Sequence, residues 1–324
     1  MCSESGRIAA SAKSAARQAT WCRCPALHNC LYRMLRISAF LLSLGFTAQL
    51  CAQAPGVLKD AEFELYARDV PTALRAQEGL LQAGREFRRY VGASPPPIAV
   101  VLLDGGEPLT YSGRLPTLYW FTAAGLAQAR SHSGTPAVPP DSLRDRAFAE
   151  SALPHEACHW YLAAYLASVT GKPSAASGAH RGFSGLPAWY NEGFATLCEP
   201  ERWKKARRDQ IRRDIASAPP LSELLMMAHP KGSTSLPVGV SAGTAEARSA
   251  QVSGGGDARA RLFYAKANSI LQFIAEREGA RFVGELGNRL IEGVSFADVL
   301  KRSRSLPRTL DGFEEEWRAW VLRD

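Results

Sequence analysis

No segment of the 324 residues reads as a convincing membrane-spanning helix, which needs about 20 apolar residues. The apolar run from Ile37 to Leu50 is too short and too rich in small and polar side chains. Cysteine is sparse as well: seven residues in a chain of this length exclude a disulfide scaffold. Internal repeats are lacking, so a solenoid is excluded. The net charge of +8 is not spread along the chain. Six basic residues (Arg7, Lys13, Arg17, Arg23, Arg33, Arg36) against Glu4 put +5 in residues 1–54, leaving +3 for the other 270. The global charge therefore gives no argument for a nucleic-acid groove. What is present is an ordinary soluble composition, 46% apolar and 22% charged, enough for a sizeable core and unlike a disordered or fibrous chain. The length suits one large domain or two small ones.

Residues 1–54 read as a leader. Arg33 and Arg36 precede the Ile37–Leu50 run, and Ala52-Gln53-Ala54 supplies small residues at a cleavage spacing. This is a secretory signal at about 34–54, with Met34 as the start and a cut before Pro55. An uncleaved anchor is one alternative, and Cys51 as a lipid-modified cysteine is another. The expectation is a periplasmic or secreted protein of the bacterial envelope with no stable membrane span in the mature chain. The cut removes Cys2, Cys22, Cys24, Cys30 and Cys51, leaving Cys158 and Cys198.

Residues 55–324 read as a single α+β domain. Apolar residues at three- and four-residue steps predict helix over 60–91, with Pro71 dividing it or starting a second helix. Ile98–Leu103 and Leu118–Thr122 read as strands. A Ser/Gly/Pro loop follows at 131–140, then a helix from about Ser142 to Val169 stopped by Gly171 and Pro173. Residues 172–186 read as loop and 187–214 as helix. A flexible low-complexity loop is expected over 229–260, and helices over 262–278, 281–303 and 309–322.

The chemistry lies in Pro154-His155-Glu156-Ala157-Cys158-His159, an H-E-x-x-H string. On a helix, His155 and His159 stand one turn apart on one face and can share a metal ion. Glu156, turned by about 100° from His155, flanks the metal without ligating it, where a general base belongs. A catalytic zinc needs a third protein ligand and an open position. Thirty-two residues separate His159 from Glu192, in Leu186-Pro187-Ala188-Trp189-Tyr190-Asn191-Glu192-Gly193-Phe194-Ala195.

Together, HExxH and P-x-W-x-x-E-G-x-A resemble the gluzincins, the thermolysin-like clan of zinc metallopeptidases, and within them the peptidase MA-like branch. The resemblance covers most of 60–322 and is specific over about 154–199. It implies a zincin-like domain, with a small strand-containing N-terminal part and a mainly helical C-terminal part, whose zinc core lies at about 142–200. It implies one Zn2+ held by His155, His159 and Glu192. The G-x-M-E-N string of the large aminopeptidases is absent, and so is the H-x-x-G-x-x-H ending with which metzincins continue their motif. Many clan members carry a carboxylate four residues after the ligand Glu, hydrogen-bonded to a zinc histidine. Thr196 stands there in this chain, and its hydroxyl is a weaker stand-in. Asn191 matches the clan's Asn-Glu pair, and reads as a helix cap or a contact to substrate backbone. The branch also places a tyrosine at the start of the C-terminal helix, which is Tyr264. Its phenol is a candidate oxyanion donor, although packing beside Phe263, Ala267, Ile270 and Ile274 would also account for it.

Cys158 and Cys198 lie on the two motif helices, as a disulfide or as two buried thiols. His132, His180 and His229 lie in Gly/Pro/Ser-rich stretches and read as solvent-exposed. Arg202-Trp203-Lys204-Lys205-Ala206-Arg207-Arg208 reads as a solvated helix face, with no nucleic-acid partner expected. The function expected is an exported zinc-dependent peptidase acting on peptides or proteins, with Glu156 as general base. The alternatives are a non-catalytic zinc- or peptide-binding module of the envelope and a structural envelope partner.

Overall fold

The computed structural model describes residues 56–68, 70–104, 109, 111–122, 125, 152–171, 185–228 and 258–323. These form a mixed α+β structure: a small four-stranded sheet near the N-terminal end, followed by helices. Outside the described residues lie the leader 1–54 with its five cysteines, the loop at 131–140, His132, His180 and His229. So do residues 142–151 and most of the loops expected at 172–186 and 229–260.

The first two strands correct the helix expected over 60–91. β1 (Gly56–Lys59) and β2 (Phe63–Ala67) pair antiparallel, with Leu58 opposite Leu65. Phe63, Leu65 and Ala67 are buried while Glu64 and Tyr66 are half-buried, a two-residue period. Spacing at 63 and 65 fits a strand as well as a helix flank, and pairing on both sides decides it. The helix α1 begins only at Val70 and runs to Val91. Pro71 sits in its first turn, where a missing N–H removes no hydrogen bond. Ala73, Ala76, Leu80, Ala83, Phe87 and Tyr90 form its buried stripe.

β3 (Ile98–Leu103) lies parallel to β2, and β4 (Thr117–Phe121) parallel to β3, giving the order β1-β2-β3-β4. Ile98 through Leu102 are all buried, as an unbroken aliphatic run in an inner strand should be. β3 stands as expected and β4 one residue earlier.

The helix α2 (Leu153–Thr170) has Pro154 in its first turn and stops at Gly171, whose φ of 65° is left-handed. The helix expected over 187–214 is two helices, α3 (Ala188–Leu197) and α4 (Glu201–Arg213). Pro200 separates them, because the residue before a proline is pushed out of helical geometry. After a short α5 (Leu221–Met226) comes α6 (Ala258–Glu278), which starts within the stretch expected to be loop. The segment 281–303 is also two helices, α7 (Ala280–Ile291) and α8 (Phe296–Lys301), broken at Gly293, φ 87°. Ser295 caps α8 by accepting from the Asp298 amide at 3.1 Å. The last helix is α9 (Leu310–Arg323).

α6 is the spine of the helical part, burying Phe263, Ala267, Ile270, Leu271 and Ile274. α3 crosses it closely: a Cβ on Gly193 would stand 2.9 Å from the Ala267 carbonyl oxygen. Glycine beside Glu192 is thus what lets α3 approach the spine. Among the described residues, no helix is long and apolar enough to cross a membrane.

Candidate metal centre

α2 carries His155 and His159 on one face, and α3 packs against it with Glu192 turned inward. Every residue of α3 from Trp189 to Leu197 is buried, so Glu192 enters the site from a fixed helix. The Nε2 atoms of His155 and His159 are 3.2 Å apart. Oε2 of Glu192 lies 3.2 Å from the first and 3.5 Å from the second. Four donors at about 2.0–2.1 Å around a tetrahedral ion stand about 3.3–3.4 Å from one another. The three atoms therefore form a triangle of the size that one face of such a tetrahedron requires. Some 12% and 18% of the two histidine side chains is exposed, so the donor face is reachable.

The far side of each ring fixes which nitrogen offers its lone pair. Nδ1 of His155 donates to Oε1 of Glu199 at 3.0 Å. Nδ1 of His159 donates to Oδ1 of Asn191 at 3.1 Å. With a proton on each Nδ1, neutral imidazoles present Nε2 lone pairs to one another and to the Glu192 oxygen. Three lone-pair donors pointed at one spot repel unless a cation stands between them. Proton binding answers the same demand: burial works against the His155 imidazolium, but Glu192 and Glu199 outweigh it and hold its pKa up at about 10. The donor set thus fits a divalent ion taken up in place of that proton.

Glu199 is the residue that the sequence reading missed. It follows Glu192 by seven positions and lies two residues past the end of α3, beyond the four-residue step at which the resemblance places a carboxylate. Thr196, at that nearer position, turns away from the histidines. It donates to the Gly193 carbonyl at 2.6 Å and accepts from Asn268 at 3.0 Å, tying α3 to α6. Asn191 is no cap either. It is the fourth residue of α3, whose start is marked by Pro187. The basic run on α4 also departs from a solvated face: Lys204 is buried, and Arg207 reaches inward to Glu199. Its Nε donates to Oε2 at 2.9 Å and its Nη2 to Oε1 at 2.6 Å. Burial alone would raise the Glu199 carboxyl, but Arg207 and His155 hold it below the usual carboxylate range.

Tyr264, near the start of α6, stands over the same site. Its ring centre is 6.3 Å from that of His155, edge to face. Glu156 follows His155 on α2 and is buried. Cys158 and Cys198 are bonded to each other, their Cα atoms 6.2 Å apart. Of the two states expected for this pair, the structure has the bridge, which joins α2 to the residue after α3.

No protein-family model matches the chain, and no curated protein or solved structure matches it either.

Proposed function

We propose that the chain is an exported zinc-dependent peptidase of the gluzincin type, built on a zincin-like domain. The observation that carries this is the convergence of His155 Nε2, His159 Nε2 and Glu192 Oε2, with both Nδ1 protons held by acceptors behind. These three residues would hold the ion. A bound zinc supplies a Lewis acid that acidifies a water to a pKa of about 7 and polarises a carbonyl.

The protein's own groups do the rest. Glu199 and Asn191 keep the two imidazoles in the tautomer that ligates. Glu156, buried and one residue from a ligand, accepts the proton of the attacking water and passes it to the departing amine nitrogen as the C–N bond breaks. The Tyr264 phenol, beside His155, donates to the carbonyl oxygen as negative charge gathers there. Export rests on the Arg-flanked apolar run that ends in Ala52-Gln53-Ala54.

The test is metal analysis of the purified protein together with a broad peptide-library cleavage assay. One zinc per chain with hydrolysis is the expected result. Zinc without any cleavage would make the protein a binding module, and a chain that takes up no zinc would overturn the reading.

A further inference from the structure

The Arg207 side chain joins two parts of the site that have no reason to share a partner. One edge of its guanidinium forks onto Glu199, whose Oε1 also accepts from His155. Its Cζ lies 5.8 Å from the centre of the Tyr264 ring. That ring in turn stands edge to face with His155. The four residues close a circuit: His155 to Glu199, Glu199 to Arg207, Arg207 to Tyr264, Tyr264 back to His155.

A simple ion pair would need only the first half of this. Glu199 has 1% of its side chain exposed, and a buried carboxylate requires a cation. Any ammonium would serve that need. The fork with two parallel bonds is what arginine has and lysine lacks. The neighbouring cations of α4 are engaged elsewhere, Lys205 with Asp209 and Arg208 with Glu201. Only Arg207 among them turns to the metal centre.

We propose that Arg207 is a positioning residue that aligns a zinc ligand and the oxyanion donor together: through Glu199 it sets the ring of His155, and through its contact with the ring it sets the phenol of Tyr264. This rests on the peptidase reading above. Metal affinity and turnover are therefore coupled through one side chain that touches neither zinc nor substrate.

The test uses Arg207→Lys, which keeps the charge and loses the fork. A second variant, Arg207→Met combined with Glu199→Gln and read against Glu199→Gln alone, leaves no buried orphan charge if the single change fails to fold. Zinc affinity is read by chelator competition, and the ligand field by the visible spectrum of the cobalt(II) form. Arg207→Lys should weaken zinc by roughly 10-fold or more and shift the cobalt bands. It should lower kcat while KM stays near wild type. In a Tyr264→Phe background its effect on kcat should shrink while its effect on zinc remains. Wild-type zinc affinity and an unchanged cobalt spectrum in Arg207→Lys, or a double variant with the kcat of Glu199→Gln alone, would overturn the inference and leave the peptidase reading standing. So would a kcat loss that is the same with or without the Tyr264 hydroxyl. A wild-type chain that binds no zinc removes both.

Discussion

Glu199 meets Nδ1 of His155 from beyond the end of α3, seven residues after Glu192, and it does so at 3.0 Å. The two carboxylates therefore hold one imidazole from opposite sides, Glu192 at Nε2 and Glu199 at Nδ1.

This arrangement separates the roles of Glu199 and Thr196. Glu199→Gln keeps the shape but removes the charge, and zinc affinity should fall by roughly 10- to 100-fold. Thr196→Val removes a hydroxyl that serves Gly193 and Asn268. It should cost about 1–3 kcal/mol of stability and leave zinc affinity unchanged. Chelator competition and urea unfolding on the two variants check this; the reverse pattern would place the supporting group at Thr196.

Glu156 is separated from the ligands by its chemistry. Glu156→Gln should retain zinc and thermal stability while turnover falls by roughly 10²–10⁴-fold. His155→Ala and Glu192→Ala should lose zinc along with activity. Loss of metal from Glu156→Gln would show that the ligands are misassigned, and full activity would show that the base is.

The crossing of α3 and α6 has no spare room at Gly193. Gly193→Ala should destabilise the fold by roughly 1–3 kcal/mol and weaken zinc as well, because Glu192 is the adjacent residue. Paired measurements of melting temperature and metal affinity decide it. A variant as stable and as well loaded as wild type would mean that the helices part at no cost.

Lys266 offers a test by pH. Its ammonium is buried, donates to the Pro219 carbonyl at 2.6 Å and to both Glu314 oxygens at 2.9 Å, and lies 4.5 Å from the centre of the Trp317 ring. Burial pulls its pKa down from 10.5 to about 8, against the opposing pull of Glu314. Between those values the unfolded chain binds a proton that the folded chain does not. Stability should therefore rise with pH across that window, by roughly 2 kcal/mol from pH 8 to 10 for this group. Urea midpoints of wild type and Lys266→Met at both pH values isolate it. The rise should be missing from the variant, and parallel curves would rule the assignment out.

The parts of this site that were legible in the sequence are those that local periodicity encodes. His155 and His159 share a face because four residues make a turn, and Ile98–Leu103 reads as an inner strand because its side chains are all aliphatic. Glu192 was reached only through a family resemblance, since nothing in its own neighbourhood says that it will meet α2. Glu199 and Arg207 were passed over for a related reason. Each is unremarkable where it stands, one before a proline and one in a basic run, and each acquires its role from a contact across the fold. β2 was misread because residues 63 and 65 suit a helix until β1 and β3 supply their hydrogen bonds.

Cys198, Glu199 and Pro200 are consecutive, and each fixes something different: the bridge to α2, the carboxylate behind His155, and the start of α4. The corner behaves as a ruler. Adding or deleting one residue between Pro200 and Arg207 would turn Arg207 by about 100° around α4 and carry it away from its partners. Length is therefore frozen from Pro200 to Arg207, and insertions are excluded there even where the residues they would separate are free to change.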